Sequence, residues 1–378
     1  MTLVGPVTAP SLTEINPTRT NTAIRQIIER LGQLDDATSS LVQDAIDAAT
    51  KALAAAQQQN RIVNAGMMVC QDRATGATVD ISSDQYALDG VRAVLVSSGT
   101  LRCSQQASTT PGGSPNRFRG VVQVSDGTVD AGDVALLMFP VEGIDVADMQ
   151  FGTANAAAFV FGLAVKLPAG TYALAFQNAT STRSYVVPFT IDAPEADTDQ
   201  LITVNVPGDT SGTWSQAEGA IGISCRLILV CGSTYQTAST GAWQAGNYLS
   251  TSAQSNFMGT GSDTVEVADL RLHKGEDLPT WKCPEFEPTF DKCRRYFEIV
   301  PGLSGTGNAT ALGQGWPVHW KIARKCRTPT ISAFYSSSNC AVTTTNIFPD
   351  QFTANAVSAG AGVLSWFSTV PITVSARL

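Results

Sequence analysis

This 378-residue sequence is poor in charge and nearly devoid of histidine: Asp, Glu, Lys and Arg make up 15% of it and His occurs twice. The 24 Lys and Arg are outnumbered by 32 Asp and Glu, giving a net charge of −8, and the basic residues nowhere gather into a tract. A nucleic-acid binder needs a positive footprint to displace phosphate counterions, so nucleic acid is not expected as a partner. No apolar run reaches the roughly 18 residues that span a bilayer, and no membrane insertion is expected. Met1–Pro10 shows no basic segment ahead of an apolar core, so no secretory signal is read there. The eight cysteines, at 70, 103, 225, 231, 283, 293, 326 and 340, form no Cys-x-x-Cys pair. They are expected as reduced thiols, a Cys283–Cys293 bridge being the one pairing left open.

The usual marks of catalysis are missing as well. His273 and His319 lie far apart, and any zinc site would have to draw on cysteines at no recognised spacing. There is no Gly-x-Ser-x-Gly elbow, and neither histidine stands in a triad context. GLSGTG at 302–307 lacks the Lys-Ser/Thr of a phosphate loop and reads as a turn. The close acid pairs Asp197/Asp199 and Glu285/Glu287 lie near prolines in connections, which suits solvated loop acids better than a facing glycosidase pair. Asp126, Asp130 and Asp133 lack the ordered alternation of a calcium loop and read as a turn. No catalytic residue, metal ligand or cofactor is therefore expected, and the chain is not expected to be an enzyme.

What is abundant is small and turn-forming: 32 Gly, with plentiful Ser, Thr and Ala, the composition of short strands joined by many turns. Residues 1–20 hold three prolines and little periodicity, and read as an extended arm. A helix is expected from Thr20 or Asn21, either of which can cap it, with Pro17 keeping the approach extended. Apolar residues then recur at Ile24, Ile27, Leu31, Leu34, Thr38 and Leu41, the alternating three-four spacing of a coiled-coil seam. The seam resumes one step out of phase at Val42, Ile46, Ala49, Leu53, Ala56, Asn60 and Val63, a stutter. About 40 such residues would make a rod of roughly 60 Å. A narrow stripe on a lone helix cannot bury itself, and Ile at the first seam positions favours three strands. A homotrimeric stem over 21–63 is expected, with Ile24, Ile27, Leu31, Leu34, Leu41, Ile46 and Leu53 as its contacts.

Beyond the stem the period changes to two. Phe159, Phe161, Leu163, Val165 and Leu167 share one face, Pro168-Ala169-Gly170 turns the chain, and Tyr172, Leu174 and Phe176 return, which predicts a hairpin. Similar alternation marks Tyr185–Ile191, Ile202–Val206 and Ile221–Leu229. Val265, Val267, Leu270 and Leu272 predict a strand bulged at Asp269. With no helical pattern between them, these strands predict an antiparallel sandwich of jelly-roll type over 64–283. CPEFEPTFDKCRRYFEI predicts a short helical turn and then a strand, a connector over 284–301. Runs at 316–320, 331–335, 363–367 and 372–376 predict a β tip module over 302–378.

Several runs resemble one family. Asn60-Arg-Ile-Val-Asn-Ala-Gly-Met-Met-Val-Cys-Gln71, followed by Tyr86-Ala-Leu-Asp89, is similar to the N-x-I-x-N-G-x-M-x-x-x-Q … Y-x-L-D-R-W signature that opens many phage tail-fibre sandwich domains. Gly208-Asp-Thr-Ser-Gly-Thr-Trp214 resembles that family's G-D-x-x-G-x-W. Ala268–Gly275 with Pro284-Glu-Phe-Glu287 resembles its v-Q-L-E-x-G … P-x-F-E close, and Asp291–Glu298 its C-Q-R-Y-Y-E junction. Phe352-Thr-Ala-Asn-Ala356 resembles its tip module. Ala65 stands where the family usually has Gly, and Gly90-Val91 where it has Arg-Trp. The resemblance runs in order over about 60–378. It implies a bacteriophage tail fibre or receptor-binding protein, usually trimeric, with a sandwich like a carbohydrate-binding module and an arm that docks on the particle.

The fold class expected is thus mainly β: an N-terminal α-helical coiled-coil stem, an antiparallel β-sandwich and a C-terminal β tip module. The expected function is that of a virion fibre, made in the bacterial cytoplasm and exposed on the particle, that attaches to a host-surface glycan. The alternatives are a non-receptor structural fibre or decoration protein of head or neck, and a glycan depolymerase. Sugars stack their C–H faces on aromatic rings, so Trp243 and Tyr248, in the Gly/Ser/Thr/Gln-rich loop 233–256, are ligand candidates, beside a role in plugging the end of the sandwich. Trp316, Trp320 and Trp366 in the tip are the further candidates, with core packing as the other reading.

Overall fold

A computed structural model describes residues 24, 26, 40–48 and 59–378. The chain divides into two units, 1–59 and 60–378. In the first, residues 24, 26 and 40–48 are helical, and Gln43 donates to Asp47 across one turn at 2.6 Å. Ile24 and Ile46 are half-buried and Leu41 is exposed. Ile27, Leu31, Leu34 and Leu53, and with them most of the expected seam, lie outside the described residues, as does the arm over 1–20.

In the second unit, alternating and fully apolar runs build a β-sandwich. Its strands are β1 (Thr78–Ile81), β2 (Gln85–Leu88), β3 (Val91–Val96), β4 (Thr100–Ala107), β5 (Asn116–Val124), β6 (Val134–Glu142), β7 (Phe159–Lys166), β8 (Gly170–Gln177), β9 (Arg183–Ile191), β10 (Gln200–Val206), β11 (Ile221–Cys231), β12 (Trp243–Ala245) and β13 (Thr264–Lys274). One sheet has the order β1-β4-β5-β13-β7-β10 and the other β12-β9-β8-β11-β6-β3-β2, with antiparallel pairing throughout. The chain passes repeatedly from one sheet to the other, in the manner of a jelly roll. β6 and β7 leave little side chain exposed on either face and read accordingly as unbroken apolar runs, VALLMFPVE and FVFGLAVK.

The predicted 159–176 hairpin does not form. β7 and β8 lie in different sheets, so Pro168–Gly170 carries the chain across the core. Their apolar faces meet from opposite sides: the Phe176 ring packs edge-on against Phe159 at 5.3 Å and Phe161 at 5.4 Å. Alternation dictates which face of a strand is buried, but not which strand it bonds. The bulge at Asp269, by contrast, is present: β13 changes register against β7 between Ala268 and Arg271, and Asp269 has φ +52°.

Residues 60–63, placed at the end of the stem from their spacing, are not helical and belong to the sandwich. The Arg61 amide donates to the Leu272 carbonyl, and the Asn60 side chain bonds both Leu270 O and Leu272 N. The backbone groups of β13 freed by the bulge thereby find partners.

A helix follows at Phe286–Arg294, and then a tip of nine strands among the described residues: β14 (Phe297–Val300), β15 (Ser304–Ala309), β16 (Gly315–Lys321), β17 (Thr330–Ser332), β18 (Tyr335–Ser338), β19 (Cys340–Phe348), β20 (Gln351–Ser358), β21 (Gly362–Ser368) and β22 (Ile372–Ser375). They form three three-stranded sheets around Phe352, Leu364, Trp366, Ile372 and Val374. GLSGTG is mostly strand, not the turn its glycines suggested. A Cβ on Gly305 would stand 2.7 Å from the Trp366 indole nitrogen, and one on Gly307 3.1 Å from that of Trp316. These glycines make room for indole rings. All eight cysteines are free thiols.

Candidate functional site

The candidate aromatics do not converge. Trp243 lies on edge strand β12, paired with Tyr185 of β9. Its indole N–H donates to Pro207 O at 2.6 Å, and its ring meets those of Tyr185 and Trp214, each at 5.3 Å. Tyr248 is half-buried and packs, with Tyr235 and Leu249, against the outward residues of β8, β9 and β11. In the tip, Trp366 is 2% exposed within the core and Trp316 packs on that core, while Trp320 is exposed on β16 opposite Phe352.

The family-like runs hold the fold together from within. Asn64 donates to Val69 O and Asp89 O, each at 2.8 Å, and accepts from Val69 N. Asp89 accepts from the Gln71 amide at 2.8 Å, and Gln71 also reaches Phe297 O in the tip. Asp209 forms a two-point ion pair with Arg183, at 2.6 and 2.7 Å. In the connector, Arg295 and Tyr296 both bond the buried Glu142, at 3.0 and 2.8 Å, while Lys325 and Arg294 hold Glu298. Burial works against ionised Glu142, but bonds from Arg295, the Gly219 amide and Tyr296 outweigh it and hold its carboxyl below the usual range.

Three of the acids singled out in the sequence, Asp199, Asp126 and Asp133, are engaged too. Asp199 shares Arg117 and Lys166 with Glu266 on the outer face of the six-stranded sheet. Asp126 accepts from Ser97 and the Ser98 amide, and Asp133 accepts from the Asp130 amide, both as turn braces.

An open site lies instead on the outer face of the seven-stranded sheet. The loop bearing Tyr235, Tyr248 and Leu249 covers Ala173, Ala175, Val186 and Ile228 on one half of that face. On the other half a cleft of about 250 Å³ remains. Register builds its floor: Arg92, Met138 and Arg226 stand side by side on β3, β6 and β11, with Val94 and Leu136 in the next row. Asp84, Ala179, Ile221 and Ser224 complete the lining. Asp84 pairs with Arg92, accepting Arg92 Nε at 2.5 Å. Arg226 donates Nε to Ser224 Oγ at 3.1 Å and Nη2 to Ser181 Oγ at 3.3 Å. Ser181, at φ +54°, is held over it by a turn that buried Asn178 bonds to Thr182, Arg183 and Thr213. Burial, with the like charge of Arg92, pushes the Arg226 guanidinium down to about 10, still cationic at neutral pH.

Sequence reasoning missed this cleft. One signal was present: Ser224 and Arg226, two residues apart and so on one face, interrupt the otherwise apolar strand IGISCRLILVC. The neighbours that turn them into a site come from other strands.

The fold and site together define a mainly β chain with antiparallel sheets, its larger part a two-sheet sandwich with an open cleft on one outer face. No family model and no curated protein matches the sequence. Solved structures similar to it include the enzymatically active domain of bacteriophage CBA120 tailspike protein 4, at 9% identity and TM-score 0.30 over 57% of this chain and 21% of that one. Others are the family 11 carbohydrate-binding module of the cellulase Lic26A-Cel5E of Clostridium thermocellum (10%, TM-score 0.26, 54% and 98%) and TmCBM61 in complex with β-1,4-galactotriose (10%, TM-score 0.27, 57% and 99%). At these scores none of them transfers a ligand or an activity to this chain.

Proposed function

We propose that this chain is a non-enzymatic bacteriophage fibre protein that recognises a host-surface glycan through the cleft on its seven-stranded sheet. The observation that carries the reading is the cleft floor, where the apolar Met138, Leu136 and Val94 lie beside the hydrogen-bond donors Arg92 and Arg226. A sugar ring offers just this pair of surfaces, a C–H face and a rim of hydroxyls. Among the described residues, Asp84 is the one carboxyl lining the cleft, and it is committed to Arg92. Glycoside hydrolysis needs two facing carboxyls, which favours binding over cleavage. The ordered resemblance over 60–378 supports a place on the virion, docked by the N-terminal arm, and the stem spacing supports a homotrimer whose three clefts would bind with avidity.

The test fills the cleft from its rim. Ala179 is exposed, so Ala179→Trp should leave the fold intact while occupying the space. Adsorption of the labelled full-length protein to host cells should fall at least tenfold. Undiminished adsorption by a folded Ala179→Trp protein would remove the cleft as the binding site. Light scattering on the full chain and on 60–378 tests the trimer: a full-length monomer at micromolar concentration would retire it.

A further inference from the structure

Arg226 differs from most of the other buried or half-buried cations of this molecule in what it holds. Arg117 is paired with Asp199 and Glu266, Arg183 with Asp209, Arg295 with Glu142 and Lys325 with Glu298. Arg271 donates to Pro279 O and lies over the Trp281 ring. Arg226 has only two serine hydroxyls, and among the described residues no carboxylate lies within ion-pair distance of it. The nearby acid, Asp84, is bound at two points by Arg92. Arg226 is half-buried, and a guanidinium even partly withdrawn from water without an anion is costly, so proteins ordinarily neutralise such groups. Here the charge is kept on a cleft floor, on a chain whose overall charge is −8. General attraction of anions by the protein surface therefore does not account for it.

We propose that the glycan bound in this cleft is acidic, and that Arg226 takes its anionic group, a carboxylate or phosphate ester carried by the sugar. The inference rests on the glycan-binding reading above and specifies its ligand class. With Nε and Nη2 already donating to Ser224 and Ser181, the Nη1 side of the guanidinium keeps donors for an anion in the cleft. Arg92, two strands over in the same row, adds positive potential that Asp84 offsets at close range. Met138, between the two arginines, provides an apolar surface for the ring that bears the charge.

The experiment uses the full-length protein on an array of bacterial surface polysaccharides, acidic and neutral. The acidic ones are also printed after carboxyl reduction and after dephosphorylation, each of which removes one kind of charge and leaves the sugar chain. Binding confined to acidic polysaccharides, and lost on one of the two treatments, supports the inference and identifies the group. Arg226→Met should then weaken that binding at least about tenfold while melting no lower than the parent. Binding to neutral polysaccharides, or binding that survives both treatments, overturns the acidic ligand and leaves the glycan reading standing. Binding to no polysaccharide, by a protein that still adsorbs to cells, overturns both. The array comparison needs no variant, so a folding defect in Arg226→Met would not shield the inference.

Discussion

The side-chain amide of Asn64 donates at 2.8 Å to the carbonyl of Asp89, closing the entry of the chain onto the sandwich beside its connection to the tip. The same amide group also satisfies Val69 O, while its oxygen accepts from Val69 N. Both residues are almost fully buried, so no water replaces these bonds.

Replacing Asn64 with Leu therefore strands buried polar groups on two backbone segments. At about 1–3 kcal/mol for each unsatisfied group, Asn64→Leu should lose about 2 kcal/mol or more. Denaturant unfolding measures it, and a loss below about 0.5 kcal/mol would show that the network relaxes onto other partners.

The carboxyl of Asp89 makes stability depend on pH with an unusual sign. Burial raises it from 3.8 to about 6 against bonds from Gln71 that favour its charge. A carboxyl raised on folding costs stability when ionised, and the cost fades as pH falls through about 6 toward its unfolded value. The two-unit difference corresponds to about 3 kcal/mol at neutral pH. Thermal melts of the parent relative to Asp89→Asn should show the parent gaining ground from pH 8 to pH 5. A difference constant with pH would mean that the carboxylate is well solvated.

Glu142 behaves in the opposite sense. Its carboxyl is held low, so its contribution is present above the unfolded value and lost as pH falls through the still lower folded one, outside the window used for Asp89. Glu142→Leu leaves Arg295 with the more exposed Glu218 and Tyr296 without its acceptor. Breaking such a pair costs about 3–5 kcal/mol. Because the bonds tie the connector to the sandwich, amide exchange should quicken most over 293–300. Uniform protection across the chain would contradict this role.

Gly212 has φ +78°, and a Cβ there would stand 2.5 Å from Arg183 Cγ. Gly212→Ala must both strain the backbone and push Arg183 off Asp209, so a loss above about 1 kcal/mol is expected in calorimetry. An unchanged melting temperature would show that the 208–214 turn can shift at little cost.

Arg226→Met should act on stability in the reverse direction from binding. Removing a guanidinium that lacks an anion, and filling the place with an apolar chain, should stabilise the protein by about 1 kcal/mol. A marked fall in melting temperature would assign Arg226 a structural role.

Much of the sandwich was legible because its signals are local. Alternation located β7, β8, β9, β11 and β13, and the step from Val267 to Leu270 located the bulge at Asp269. The glycines of GLSGTG misled, because their role is to lie flat under Trp366 and Trp316, which come from elsewhere in the chain. The 159–176 hairpin misled for a related reason. A hairpin and a crossing between sheets bury the same faces of the same two strands, and only the remaining strands decide between them.

The sequence by itself determined a β-rich architecture, the separate character of the connector and the low charge, since these follow from composition and from the two-residue period of a strand. It also placed Ser224 and Arg226 on one face of β11. Only the tertiary structure decided that this face lies open, that Arg92 and Met138 stand beside it, and that the carboxylates capable of neutralising Arg226 are bound elsewhere. A strand specifies its own alternation through covalent geometry, whereas its neighbours and register are chosen by the packing of the whole core. A site assembled across β3, β6 and β11 therefore exists only once that core has formed.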